Sequence, residues 1–166
     1  MAKVGEKELY GIFREMGIEW ETHEHPAVFH VSEGDELGIV FPGLNLKNLY
    51  IREKKKDDRY LVVMDEHKRL DFKGLRDLTG WKKPTFGDES ELEEYMGVYP
   101  GGVTAFGIIN DVNHVITVVL GEDIVQADDD TMINLHPFRN TATTSIKKKD
   151  FMRYMERTGN RIVLEK

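Results

Sequence analysis

The chain has 166 residues, 40% hydrophobic and 32% charged, with no cysteine and a net charge of −7. This balance excludes a disordered chain and a disulfide scaffold, and no apolar run approaches the roughly 20 residues that span a bilayer. A chain this acidic is also no general coater of nucleic acid, because such binding relies on neutralising many phosphates.

The length suits one domain over 1–166 with a core of its own. The opening residues MAKVGEKEL lack the apolar segment of a signal peptide, and with the missing cysteines this fits a reducing cytoplasm. Leu9, Ile12, Phe13 and Met16 recur at helical spacing, so residues 4–17 are read as a helix closed by Gly17. WETHEH (20–25) alternates as a strand does, and Pro26 ends it. Ser32 followed by acidic residues starts a short helix over 32–37. Strands follow at 48–53 and 60–65, joined by the polar turn KKKDDR. A helix at 71–80 ends on Gly80, and 84–87 is a brief extended piece. The acidic stretch 88–97 is a capped helix ended by another glycine.

TAFGIIN (104–110) and HVITVVLG (114–121) read as a strand pair around Asp111-Val112-Asn113, and INLHPFRNTATTSI (133–146) as one more strand. A helix at 147–159 and a strand at 161–165 complete the chain. Strand pairs set between helices predict an α+β fold with a mixed, largely antiparallel sheet rather than a doubly wound nucleotide fold.

The chain carries no glycine-rich phosphate loop and no G-x-S-x-G elbow, so neither a nucleotide-phosphate site nor a serine hydrolase is supported. His23 and His25 point the same way along a strand, with His30 nearby. Zinc is conceivable there, but flanking Glu21 and Glu24 favour a solvated face, and no metal or other cofactor is expected. His67 and His114 sit in turn-like polar contexts and are expected to be exposed.

Lys47, between Leu46 and Leu49, either snorkels from the sheet edge or offers a fixed ammonium to a phosphate or carbonyl oxygen. Pro100-Gly101-Gly102 is either a tight turn or a loop whose backbone approaches a ligand. His136, beside Pro137, is either a satisfied strand residue or a partner for a ligand amine, hydroxyl or carbonyl. The triplets Lys54-Lys55-Lys56 and Lys147-Lys148-Lys149 are either solvated turns or local phosphate contacts.

EHPAVFHVSEG (24–34), LKNLYIREKKK (46–56), YLVV (60–63), PGGVTAFGIIND (100–111) and LHPFRNTATTSI (135–146) occur in that order. Together they resemble the YbaK/ProRS-associated editing domain family, most closely its freestanding prolyl-tRNA-editing (PrdX/ProX-type) members, from about residue 5 to 163. The resemblance implies an α+β domain that hydrolyses the ester of mischarged tRNA, here alanine on tRNA(Pro). It implies catalytic roles for Lys47, Gly101 and His136, and substrate contacts from Gly102, Thr104, Phe106, Asn140 and Thr141. Phosphate contacts to the tRNA are expected from Arg52, Lys54, Lys55 and Lys56, which lie close in sequence to Lys47. The expected partners are the acceptor end of tRNA(Pro) and prolyl-tRNA synthetase, with no membrane. Gly102 and Ala105 depart from the pattern, standing where the family has Ser and Pro. Three other functions stay open: a non-catalytic module that binds tRNA or an amino acid, a deacylase for Ser, Cys or another small residue, and a metal-dependent hydrolase using His23, His25 and His30.

Overall fold

The computed structural model describes residues 3–27, 38, 41–53, 57–82 and 84–165. The helix expected at 32–37 lies outside these residues. Helix α1 spans Glu6–Met16 and buries Leu9 and Phe13, with Gly17 as its left-handed cap at φ 70°. Strand β1 follows at Glu21–Glu24. The long strands β2 (Leu44–Glu53) and β3 (Asp58–Asp65) pair antiparallel from Leu46 opposite Asp65 to Glu53 opposite Asp58. Helix α2 (Phe72–Thr79) is capped at its start by Asp71, whose carboxylate accepts from the Gly74 N–H, and leads to β4 (Pro84–Phe86). Helix α3 begins at Glu89–Glu91, widens into a π turn over Leu92–Met96 and stops at Gly97.

The chain continues through 3₁₀ turns at Pro100–Gly102 and Ala105–Asn110 to β5 (Ile116–Leu120). Short helix α4 (Glu122–Gln126), strands β6 (Met132–Leu135) and β7 (Ala142–Lys147), helix α5 (Lys148–Thr158) and β8 (Ile162–Leu164) complete it. The strands form one mixed sheet in the order β1-β7-β6-β2-β3-β5-β8, with β4 also on β2. Four of its pairings are antiparallel, and β2 with β6, β3 with β5 and β5 with β8 are parallel.

Alternation along β2 serves two cores. Leu46 and Tyr50 face a core built with α1 and α5, while Ile51 faces a second one capped by Leu75 of α2 and by Trp81. At the centre of the first, Phe13, Phe106 and Tyr154 meet edge to face at centroid distances of 5.5–5.8 Å.

Two sequence expectations are corrected. Residues 104–110 do not pair with β5; they form a 3₁₀ turn, and β5 lies between β3 and β8. Ala105, Phe106, Gly107 and Ile108 are all buried, so the segment is enclosed rather than two-faced. Its start is fixed by side chains: Asn48 Oδ1 accepts from the Ala105 N–H at 2.9 Å, and Thr104 Oγ1 accepts from the Phe106 N–H. Residues 133–146 form two strands, not one. Pro137 has no N–H for a ladder, and Phe138 turns left-handed at φ 70°.

Candidate functional site

The ladder of small polar residues in β7 is divided between the faces of the sheet. Thr144 points toward α1, where its hydroxyl joins those of Tyr10 and Thr22 at 2.8–3.1 Å. Thr143 and Ser145 point the other way. Thr143 Oγ1 lies 2.9 Å from His25 Nε2, and Ser145 donates to Asn134 Oδ1 of β6. Asn134 in turn donates to the carbonyls of Pro42 and Leu44. A polar face, buried at Asn134, Thr143 and Ser145, therefore runs across β1, β7, β6 and the start of β2.

Lys47 and His136 border this face. In the parallel pairing of β2 with β6, Leu44 stands opposite Ile133 and Asn45 opposite Asn134. Two residues further along each chain come Lys47 on β2 and His136 just past the end of β6, so both follow directly on this short parallel pairing. Their polar atoms are held apart: the Lys47 ammonium donates to the Lys68 carbonyl, and His136 Nδ1 lies 3.1 Å from the Ala142 carbonyl. A carbonyl can only accept, so Nδ1 carries the proton and a neutral His136 keeps Nε2 as an acceptor. Burial pushes its pKa below the ordinary 6.5, against the opposing pull of the Ala142 bond, and nearby His25 lowers it further. The ring is thus poised to accept a hydrogen bond from a water or an ammonium.

The glycine turn lies beside the same loop. The Gly102 N–H donates to the Tyr99 carbonyl at 2.8 Å. A Cβ added at Gly102 would come 2.7 Å from the Phe138 carbonyl oxygen and 2.9 Å from Tyr99 Cε1, so the turn is pressed against residues 136–140. Tyr99 latches the two together: its hydroxyl donates to Asn140 Oδ1 at 3.1 Å and accepts from the Asn140 N–H at 2.9 Å. Asn140 is 3% exposed, and its Nδ2 has no hydrogen-bond partner. Thr141 Oγ1 accepts from Arg139 Nη1 at 2.9 Å.

The other expected residues fall elsewhere. Thr104 is buried as the cap of the 3₁₀ turn, and the Phe106 ring is wholly in the core. Arg52 pairs with Asp57 at 2.7 Å and lies 4.0 Å from Glu91, five residues along β2 from Lys47 and on the opposite parity. Lys54, Lys55 and Lys56 lie outside the described residues. His23 stacks on Phe41 and sits 3.5 Å from Glu21. Among the described residues, no group of three or more His, Asp or Glu is placed to hold a metal ion.

Two residues of the site carried no signal of their own in the sequence. Tyr99 precedes the Pro-Gly-Gly turn, and Arg139 stands inside the His136–Asn140 stretch. Arg139 makes a two-pronged pair with Glu6 at 2.7 and 3.1 Å and also reaches Glu24 at 3.0 Å.

The sequence profile of the aminoacyl-tRNA editing domain matches residues 25–154. The chain belongs to the aminoacyl-tRNA editing domain family. It is 30% identical over 146 residues to the prolyl-tRNA editing protein ProX of Acetoanaerobium sticklandii, covering 88% of this chain and 87% of that one. It is 31% identical over 159 residues to prolyl-tRNA synthetase associated domain-containing protein 1 of Danio rerio, covering 95% and 85%. A solved protein proposed to be a trans-editing enzyme for prolyl tRNA synthetase has the same fold, with a TM-score of 0.66, 19% identity, and coverage of 100% of this chain and 99% of that one. Among the described residues, no helix is long and apolar enough to cross a membrane.

Proposed function

We propose that this chain is a trans-editing hydrolase that cleaves the ester of alanine mischarged onto tRNA(Pro). The observation that carries the reading is the near full-length similarity to a protein named for prolyl-tRNA editing. The pairing of β2 with β6, the strands that carry or lead into Lys47 and His136, and the packing of the glycine turn against Phe138 support it. An aminoacyl ester is activated by its own α-ammonium, so the site needs to place water and steady an oxyanion, without a protein nucleophile. In this scheme His136 Nε2 accepts from the attacking water or the substrate ammonium. Lys47 binds the terminal phosphate or the ester carbonyl, and the Gly101 N–H faces the oxyanion. One such donor is worth about 3 kcal/mol.

The need for such an enzyme follows from size. A synthetic site built for proline gains only about 1–3 kcal/mol against a side chain lacking a methylene, and a second site that admits alanine but not proline restores fidelity. The test is amino-acid release from Ala-, Ser-, Cys- and Pro-tRNA(Pro) and from Ala-tRNA(Ala), with wild type and Lys47→Ala. Fast loss of alanine from tRNA(Pro), abolished in the variant, is expected. Equal hydrolysis of the prolyl ester would overturn size exclusion, and binding without turnover would make the chain a regulatory module.

A further inference from the structure

The net charge of −7 conceals a long basic segment besides the two lysine triplets: residues 67–83 hold six Lys and Arg against two Asp. Among the described residues elsewhere, most arginines are committed to ion pairs within the molecule. Arg59 pairs with Glu91 at 2.6 Å, Arg139 with Glu6, Arg153 with Asp150 and Arg157 with Glu15. Arg69, Lys73 and Arg76 make no ion pair among the described residues, and all three are exposed. One of the two acids, Asp71, is already used as the cap of α2.

Helix α2 buries only Leu75, so nearly its whole circumference meets solvent. Lys73 and Arg76 are three apart and share one side of it, and Arg69 stands in the stretch that leads to its cap, Asp71. Phe72, 41% exposed, adds a flat apolar surface among these charges, as single-stranded nucleic-acid sites do. The segment is also continuous with the site: the Lys68 carbonyl that holds the Lys47 ammonium immediately precedes Arg69. The far side of the glycine turn is unsuited to phosphates, for the hollow there is lined by Glu89 and Glu93.

We propose that the turn before α2 and its outer face, through Arg69, Lys73 and Arg76, form the surface on which the substrate's RNA backbone lies. The inference rests on the editing reading and deepens it: the esterified 3′ end sits at Lys47 and His136, and the acceptor arm leaves over α2. This places the main phosphate contacts on α2 rather than on Arg52, whose charge is compensated by Asp57.

The experiment measures binding of a fluorescent tRNA(Pro) transcript across a salt series. It compares wild type, Lys73→Glu/Arg76→Glu, the milder Lys73→Gln/Arg76→Gln, and a control with equal charge change at two exposed sites on α1, Lys7→Glu/Arg14→Glu. The α2 reversal should weaken binding about tenfold or more and lower the salt slope by about 1.5, the neutral pair should fall between, and the control should stay within about twofold. Equal weakening by both reversals, an unchanged affinity on α2, or no binding by wild type would each overturn the proposal. Alanine release by wild type from Ala-tRNA(Pro), followed in parallel, reports on the editing reading separately.

Discussion

At the scale of single residues, the site is defined by what has no room to change. Gly102 has an ordinary negative φ, so its backbone does not demand glycine; its surroundings do. The family resemblance led us to expect a serine there, and in this chain a Cβ would strike the Phe138 carbonyl and the Tyr99 ring. The turn is therefore seated closer to residues 136–140 than a serine would permit. Gly102→Ala should destabilise the protein by about 1–3 kcal/mol, the usual cost of overpacking, and loosen the Tyr99–Asn140 latch. Urea unfolding measures the first effect, and an unchanged midpoint would mean that the turn relaxes freely.

At the scale of elements, the loop between β6 and β7 is held at both ends by distant parts of the chain. Tyr99 grips it from the glycine turn, and α1 grips it through Glu6 and Arg139. Both partners of that pair are less than one-third exposed, so solvent screens it only in part. Arg139→Met and Glu6→Gln should each cost about 1–2 kcal/mol, and the double variant should cost clearly less than their sum. Additive losses in denaturant unfolding would show that the two side chains act independently.

These clasps also mark what a linear reading can reach. Helices α1, α2 and α5 were legible because apolar spacing and closing glycines are local signals. Residues 104–110 misled because Thr, Phe and Ile are strand formers, while their true setting is imposed by Asn48 and Tyr154 from far along the chain. Lys47 and His136 stood out singly as polar groups in apolar runs. The strands that carry or lead into them are joined by the parallel pairing of β2 with β6, and Tyr99–Asn140 and Arg139–Glu6 join residues 41 and 133 positions apart. No periodicity encodes such pairings.

At the scale of the whole molecule, these groups set how the fold responds to acid. His136 titrates below its ordinary 6.5 when folded, so the unfolded chain takes up that proton more readily. Its contribution is complete above about pH 6.5 and is lost as pH falls from there toward the folded value. Glu6 is displaced downward too, from 4.5, chiefly by the hydrogen bond from Arg139. Its stabilisation is present above pH 4.5 and disappears as pH drops through its folded pKa. Asp57, lowered by Arg52, is fully exposed and adds little. Thermal unfolding followed against pH should therefore decline in two stages, one beginning near pH 6.5 and one below pH 4.5. His136→Asn should flatten the first stage and leave the second, and Glu6→Gln should do the reverse while lowering the plateau. A first stage that persists in His136→Asn would assign it to another group. It would also remove the reason to treat this imidazole as neutral, and so as an acceptor, near pH 7.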